Sequence, residues 1–326
     1  MRFALMIEAQ QGLSYEDQLA IVRRAEAAGF DSFFRSDHYA AFPGAADRPT
    51  TDAWAVLAGL ARETTRISLG ALVSPVTFRH PGNFVKLVTT VDQMSGGRIE
   101  VGVGAGWNDD DHEQLGLAFP PMSERADLME DQLAILHGLW TEEPGWTFDG
   151  HHVRVRNGAL RDGPVDVDGR PRENGRPRPR IITGGQGTPR GYRLAARYAD
   201  EFNLSSTSPE DSRRKQAELD EACRAIGRDP ATLTRSAMAG TLIARDDAEL
   251  ERRGAALLEE LGEDAASGRS WLNARRGRWI YGSPDDARGM VARFADAGIE
   301  RIMLQDFLPR DLEHIDLMAE ALIGRV

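Results

Sequence analysis

Ser36-Asp37-His38 places a hydroxyl, a carboxylate and an imidazole directly after the apolar run Asp31–Arg35. A carboxylate next to an imidazole can fix the ring tautomer and keep it available for proton transfer near neutral pH. Gly102-Val103-Gly104-Ala105-Gly106-Trp107-Asn108 follows a second apolar run. Without a Cβ, Gly104 and Gly106 let the backbone approach a flat ring. The spacing is not a dinucleotide-binding fingerprint, because no βαβ unit with a trailing acidic residue follows. Gly184-Gly185-Gln186-Gly187-Thr188 lies between a short apolar run and a helical stretch. Backbone N–H groups at such a helix start form a phosphate cradle, to which Arg190 or Arg193 would add charge. A Pro-bearing loop, Leu72-Val73-Ser74-Pro75-Val76-Thr77-Phe78-Arg79, ends another apolar run. Arg79 reads equally as a partner for phosphate or for a helix-end carboxylate. Asp109-Asp110-Asp111 with His112 reads as a solvated, helix-initiating loop, since three consecutive acids point in divergent directions. Trp54, Phe78 and Trp107 either wall a pocket or pack a core.

Loops of this kind need a scaffold, and the hydrophobic pattern supplies one. Strand-like runs at Met1–Ile7, Asp31–Arg35, Ile67–Val73, Ile99–Val103, Arg180–Thr183, Glu201–Leu204, Ser236–Ile243 and Arg301–Gln305 alternate with amphipathic helices. The helices are predicted over Tyr15–Ala28, Asp52–Glu63, Gly82–Met94, Glu124–Trp140, Pro189–Tyr198, Pro209–Ile226, Ala248–Leu261, Pro284–Ala297 and Leu312–Ile323. Eight strand–helix units predict a single α/β domain over residues 1–326, a (β/α)8 TIM barrel, with the active site at the C-terminal ends of the strands. Two segments break the rhythm. Residues 141–179 are rich in Gly and Pro and read as an insertion with a hairpin at Trp146–Val155, turning at Asp149-Gly150. A second loop or helical excursion falls at about residues 246–280.

The chain has 326 residues, 41% of them hydrophobic, and a net charge of −11. That balance argues against nucleic acid or an anionic membrane as a partner. The single cysteine, Cys223, excludes an intrachain disulfide and a thiolate metal site; no metal is expected. No 18-residue apolar segment is present, and MRFALMIEA runs into a strand without a leader pattern, so a cytoplasmic location is expected.

Four cofactor-compatible loops in barrel order resemble the luciferase-like family of flavin- and deazaflavin-dependent oxidoreductases. The run Gly106-Trp107-Asn108 before acidic residues and His112 is similar to a stretch of that family, as is the C-terminal RIMLQDFLPRDLEHIDLMAEAL. The resemblance implies that Asp37 and His38 sit beside the cofactor ring as its catalytic pair. It implies a non-proline cis peptide at Leu72–Val73 or a neighbour, backing the ring together with Ser74, Gly104, Gly106, Trp107 and Asn108. It places the cofactor phosphate at Gly184, Gly185, Gln186, Gly187 and Thr188. The implied cofactor is the deazaflavin F420, with FMN as the alternative, and the implied reaction is hydride transfer to or from a small-molecule substrate. A two-component FMN monooxygenase using O2, or a non-catalytic cofactor-binding barrel, are the other readings. A flavin or F420 reductase is an implied partner. Arg170, Arg172, Arg176, Arg178 and Arg180 read either as a grip for an acidic cofactor tail or as a solvated loop. Relatives dimerise through the second and third helices, so a homodimer is expected through Trp54-Ala55-Val56-Leu57 and Phe84-Val85-Leu87-Val88. One departure is plain: the sugar-phosphate dehydrogenase branch has glutamate where this chain has Trp107, so that acid–base scheme does not transfer.

Overall fold

Phe3-Ala4-Leu5-Met6-Ile7 is apolar at every position, as a strand covered on both faces must be. In the computed structural model it forms β1 (Arg2–Ile7), followed by α1 (Tyr15–Ala28), β2 (Ser32–Arg35), α2 (Ala53–Glu63), β3 (Ser68–Pro75), α3 (Pro81–Ser95) and β4 (Ile99–Gly104). Then come α4 (Asp110–Glu113), α5 (Met122–Thr141), the hairpin β5 (Trp146–Asp149) and β6 (Arg154–Gly158), β7 (Arg180–Gly185), α6 (Pro189–Tyr198) and β8 (Glu201–Ser205). The chain continues with α7 (Pro209–Ala225), β9 (Thr234–Ile243), α8 (Asp247–Leu261), α9 (Ala265–Asn273), β10 (Ile280–Gly282), α10 (Pro284–Asp296), β11 (Arg301–Asp306) and α11 (Leu312–Leu322). The structure describes residues 1–160, 164 and 178–326. Strands β1, β2, β3, β4, β7, β8, β9 and β11 pair in parallel in that circular order and close on β1. The expected eight-stranded barrel is the fold.

Alternate positions on each strand fill the barrel. A charged layer lies at the N-terminal ends. There Arg301 donates to both oxygens of Glu100 (2.7 and 3.0 Å), to Glu201 (3.1 Å) and to Ser32, and Arg180 donates to Glu201 (3.1 Å). Burial pushes the Glu100 carboxyl up, but Arg301, Arg180 and Arg2 together hold it below its usual range. Above this layer Ala4, Met6, Phe34, Leu72, Ile182 and Met303 form an apolar cluster, on which Val73 and Met238 pack.

The hairpin expected near Trp146–Val155 is β5–β6. The excursion is narrower than expected, since α8 is a regular barrel helix and the additions are α9 and β10, which extends the end of β9 in parallel. Gly240 shares the inward alternation of Met238, and a Cβ there would lie 2.2 Å from the Trp279 indole. Trp279 also stacks on Phe307 at 5.6 Å, so the excursion lays an aromatic wall over the mouth.

One expectation is narrowed and another corrected. Of the surface expected to carry a homodimer, Trp54, Val56, Leu57, Phe84, Val85 and Val88 are buried in the chain's own core, which leaves Ala55 exposed and Leu87 half-buried. Arg178 and Arg180 cannot grip a cofactor tail. Both are buried, Arg178 is paired with Asp200 (2.6 and 2.9 Å), and Arg180 belongs to the charged layer at the opposite end of the barrel. Arg170, Arg172 and Arg176 lie outside the described residues.

Replacing Arg301 with Met leaves two buried carboxylates to share Arg180, so a loss of about 3–5 kcal/mol in unfolding free energy is expected, read from the urea midpoint. A loss below about 1 kcal/mol would show that the layer does not depend on this guanidinium.

Candidate active site

His38 follows β2, and its Nδ1 lies 2.6 Å from a carboxylate oxygen, but the carboxylate is Asp111 rather than Asp37. Asp111 is buried in α4, and its other oxygen accepts the backbone N–H groups of Tyr39 (2.8 Å) and Ala40 (2.7 Å). Burial raises the Asp111 carboxyl, yet the hydrogen bonds from His38, Ala40 and Tyr39 outweigh it and hold the group below the usual carboxylate range. An ionised carboxylate only accepts, so Nδ1 must carry the proton. The Nε2 of His38 has no hydrogen-bond partner among the described residues. Orientation through one nitrogen with the other left open suits proton transfer.

Asp37 is buried in a different network. It accepts from the Ser74 hydroxyl (2.7 Å) and from Arg79 (2.7 and 3.3 Å), while Trp54 Nε1–H donates to Ser74 (2.8 Å). Arg79 also donates to Asp52 (2.5 Å), the N-cap of α2, which accepts from the Tyr39 hydroxyl (2.8 Å). Burial is the largest influence pushing the Tyr39 hydroxyl up, and its bond to Asp52 adds to it. The Arg79 question is thereby answered in favour of carboxylates. The expected Asp37–His38 pair is corrected: Asp37 positions the loop after β3, and Asp111 orients the imidazole.

The bond between Leu72 and Val73 is cis, as the resemblance implied, and β3 carries one extra residue against β4 between Ala71 and Ser74. Gly104 is needed beside this bulge, because a Cβ there would lie 2.5 Å from Val73 Cγ2. Gly106 has φ +78°, and its carbonyl accepts from Arg125 (2.6 Å). Trp107 is 65% exposed at the rim, edge-on to His38 (5.6 Å) and Phe42 (5.2 Å). Of the other two aromatics, Trp54 is core and Phe78 stacks on Tyr39 at 4.5 Å. The acidic loop is only half solvated. Asp109 and Asp110 are exposed, but His112 is buried, giving Nδ1–H to the Asn108 carbonyl (2.8 Å) and accepting from Thr77 (2.7 Å) at Nε2. Asn108 Nδ2 is buried without a partner among the described residues.

Across the mouth, Gly185 has φ +137° and faces open space where a Cβ would stand. Gln186 donates to the Ser205 carbonyl (3.0 Å) and accepts from Lys215 (3.4 Å). Thr188 caps α6 by accepting from Gly191 N–H (3.1 Å). The buried Tyr192 hydroxyl abuts Gly187 and has no partner among the described residues. Arg190 is engaged by Asp127 (2.6 Å) and Glu130 (3.1 Å), and Arg193 is exposed.

Glu8 escaped the sequence reading, and Asp111 and His112 were read only as part of a solvated loop. Glu8, just past β1, accepts from Gln10 (2.9 Å) and Gln305, and Asp111 and His112 are described above. The signal for Glu8 was its place after a barrel strand.

Residues 1–318 match a protein family described as luciferase-like monooxygenase. An F420-dependent glucose-6-phosphate dehydrogenase of Nakamurella multipartita is 35% identical over 209 residues, which are 63% of this chain and 56% of the relative. An FMNH(2)-dependent dimethylsulfone monooxygenase of Pseudomonas fluorescens is 28% identical over 200 residues, 61% of this chain and 50% of the relative. The chain thus spans about half the length of these curated relatives. The solved F420-dependent secondary alcohol dehydrogenase in complex with an F420-acetone adduct has the same fold, with a TM-score of 0.78 at 20% identity over 98% of both chains.

The lowered Asp111 value predicts a pH effect. Its stabilisation is complete above the unfolded carboxylate value of about 4 and is lost as pH falls through the lower folded value. Asp111→Asn is expected to lower stability at pH 7 by about 1–3 kcal/mol and by less at pH 3, read from urea midpoints. Equal losses at both pH values would contradict an ionised Asp111.

Proposed function

The chain belongs to the luciferase-like monooxygenase family, and from that premise we propose that it is an oxidoreductase using F420 to move a hydride to or from a small organic substrate. The observation that carries this reading is His38, oriented at Nδ1 by a buried carboxylate and open at Nε2, at the end of the strand that neighbours β3 with its Leu72–Val73 bulge.

The residues present fit such a cofactor. Val73 and Met238 give the mouth an apolar floor on which a flat ring would rest. The open space at Gly185 and the unpartnered Tyr192 hydroxyl beside Gly187 suit a phosphate, with Lys215 close by through Gln186. When bound, F420 supplies hydride exchange at a ring carbon and reacts poorly with oxygen. The protein's part is to hold, orient and move protons. His38 Nε2 gives or takes the proton that balances the hydride at the substrate, and Asp111 holds the imidazole for it. Asp37 and Arg79 keep the bulge and the α2 terminus in register.

The similarity to the dimethylsulfone monooxygenase supports a second reading, an FMN monooxygenase supplied by a partner reductase. Trp107, in place of the sugar-phosphate dehydrogenase branch's glutamate, speaks against that branch's substrate. The homodimer is a proposal without a face assigned to it.

Titration of the purified protein with oxidised F420 and with FMN, followed by ligand fluorescence, tests the cofactor. Micromolar binding of F420 is expected, with FMN at least about tenfold weaker. The reverse order would transfer the reading to the monooxygenase, and binding of neither would overturn both. With F420 bound, His38→Ala is expected to reduce turnover about 100-fold or more with the F420 Kd within about threefold. Unchanged turnover would remove His38 from the chemistry.

A further inference from the structure

A cavity of about 280 Å³ opens beside the barrel mouth, walled by α8, the turn after β1 and the loop after β11. Two buried polar side chains line it with unused hydrogen-bonding capacity. Gln11 is 3% exposed, and neither atom of its carboxamide has a partner among the described residues. Arg253 is 2% exposed; it directs Nε to Asp311 (2.8 Å) and Nη1 to the Ile243 carbonyl (3.0 Å) and Glu249 (2.8 Å), which leaves Nη2 without a partner among the described residues. Buried polar groups without partners are destabilising, and a ligand that satisfies them removes the penalty.

The three unused atoms define a chemistry. Gln11 Nε2 and Arg253 Nη2 require acceptors, and Gln11 Oε1 requires a donor. Arg252, Arg253 and Arg310 stand around the cavity with Glu260 and Asp311, and Arg253 is paired also with Glu249 and Arg310 with Asp17. Leu13, Ala256, Phe307 and Leu308 supply apolar wall. We propose that this cavity binds a small monocarboxylate carrying an adjacent hydroxyl or amide N–H on an apolar body. The carboxylate accepts from Arg253 and the Gln11 amide, the neighbouring donor meets Gln11 Oε1, and the body lies on Leu13 and Phe307. His38, Asp111 and the Gly184–Thr188 cradle take no part, so this site stands or falls apart from the proposed oxidoreductase.

Mandelate is a suitable probe, with phenylacetate as the analogue lacking the hydroxyl, added to the full chain and followed by calorimetry. Mandelate is expected to bind with Kd at or below about 1 mM and phenylacetate at least about fivefold more weakly. Gln11→Leu is expected to abolish binding while the ligand-free Tm stays level or rises, because a buried unpaired amide is removed. Ala256→Phe fills the cavity from its exposed rim without touching the polar atoms, and it too is expected to abolish binding. Four results would overturn the proposal: no binding at about 10 mM mandelate, equal affinity for phenylacetate, binding retained in either variant, or a ligand-free Tm lowered by more than about 4 °C in Gln11→Leu. The last would mean that the amide is already satisfied as part of the fold.

Discussion

Removing a carboxylate from water while it stays ionised obliges its surroundings to supply donors, and at the mouth of this barrel that obligation falls on the loop after β2. Asp111 meets it with three: the His38 ring and the backbone N–H groups of Tyr39 and Ala40. The loop after β4 is thereby tied to the loop after β2, although β3 lies between their strands. Once Nδ1–H is spent on Asp111, the orientation and protonation pattern of His38 follow, and so does the open nitrogen. Trp107 and Phe42, edge-on to the ring, limit its swing.

A second buried network supports the first. Trp54, Ser74, Asp37, Arg79, Asp52 and Tyr39 form one chain of hydrogen bonds from the helix α2 side to the mouth. Below Tyr39, buried Arg35 donates to Thr51 and Gln18 and anchors the same loop from its other end; burial pulls its value down to about 10. Charged groups thus occupy both ends of the barrel for different ends. Arg301, Arg180, Glu100 and Glu201 neutralise one another at the N-terminal end, whereas His38 at the other end is left with a nitrogen that has no partner among the described residues.

Much of the scaffold was legible because strand and helix periods are local properties of the chain. All eight barrel strands and the glycine loops fell where the pattern put them. The partners of the charged groups were not legible. Asp37 and His38 are adjacent in the chain, but neighbours in an extended segment point to opposite sides, so adjacency argued for a pair that geometry forbids. The true partner of His38 is 73 residues away, in an acidic run that looked solvated because two of its three members are. Gly240 gave no hint of Trp279, since a glycine reports missing volume without naming what fills it. Arg178 and Arg180 looked like a basic patch by composition, and burial against Asp200 and Glu201 is a tertiary fact.

The central claim, that Asp111 fixes His38 as the Nδ1–H tautomer with Nε2 free, is tested most directly by the ring ¹⁵N signals of His38 in the labelled protein. At a pH where the ring is neutral, the account predicts a proton on Nδ1 and an unprotonated Nε2, a pattern lost in Asp111→Asn. A neutral ring protonated on Nε2 in the wild-type protein would contradict it.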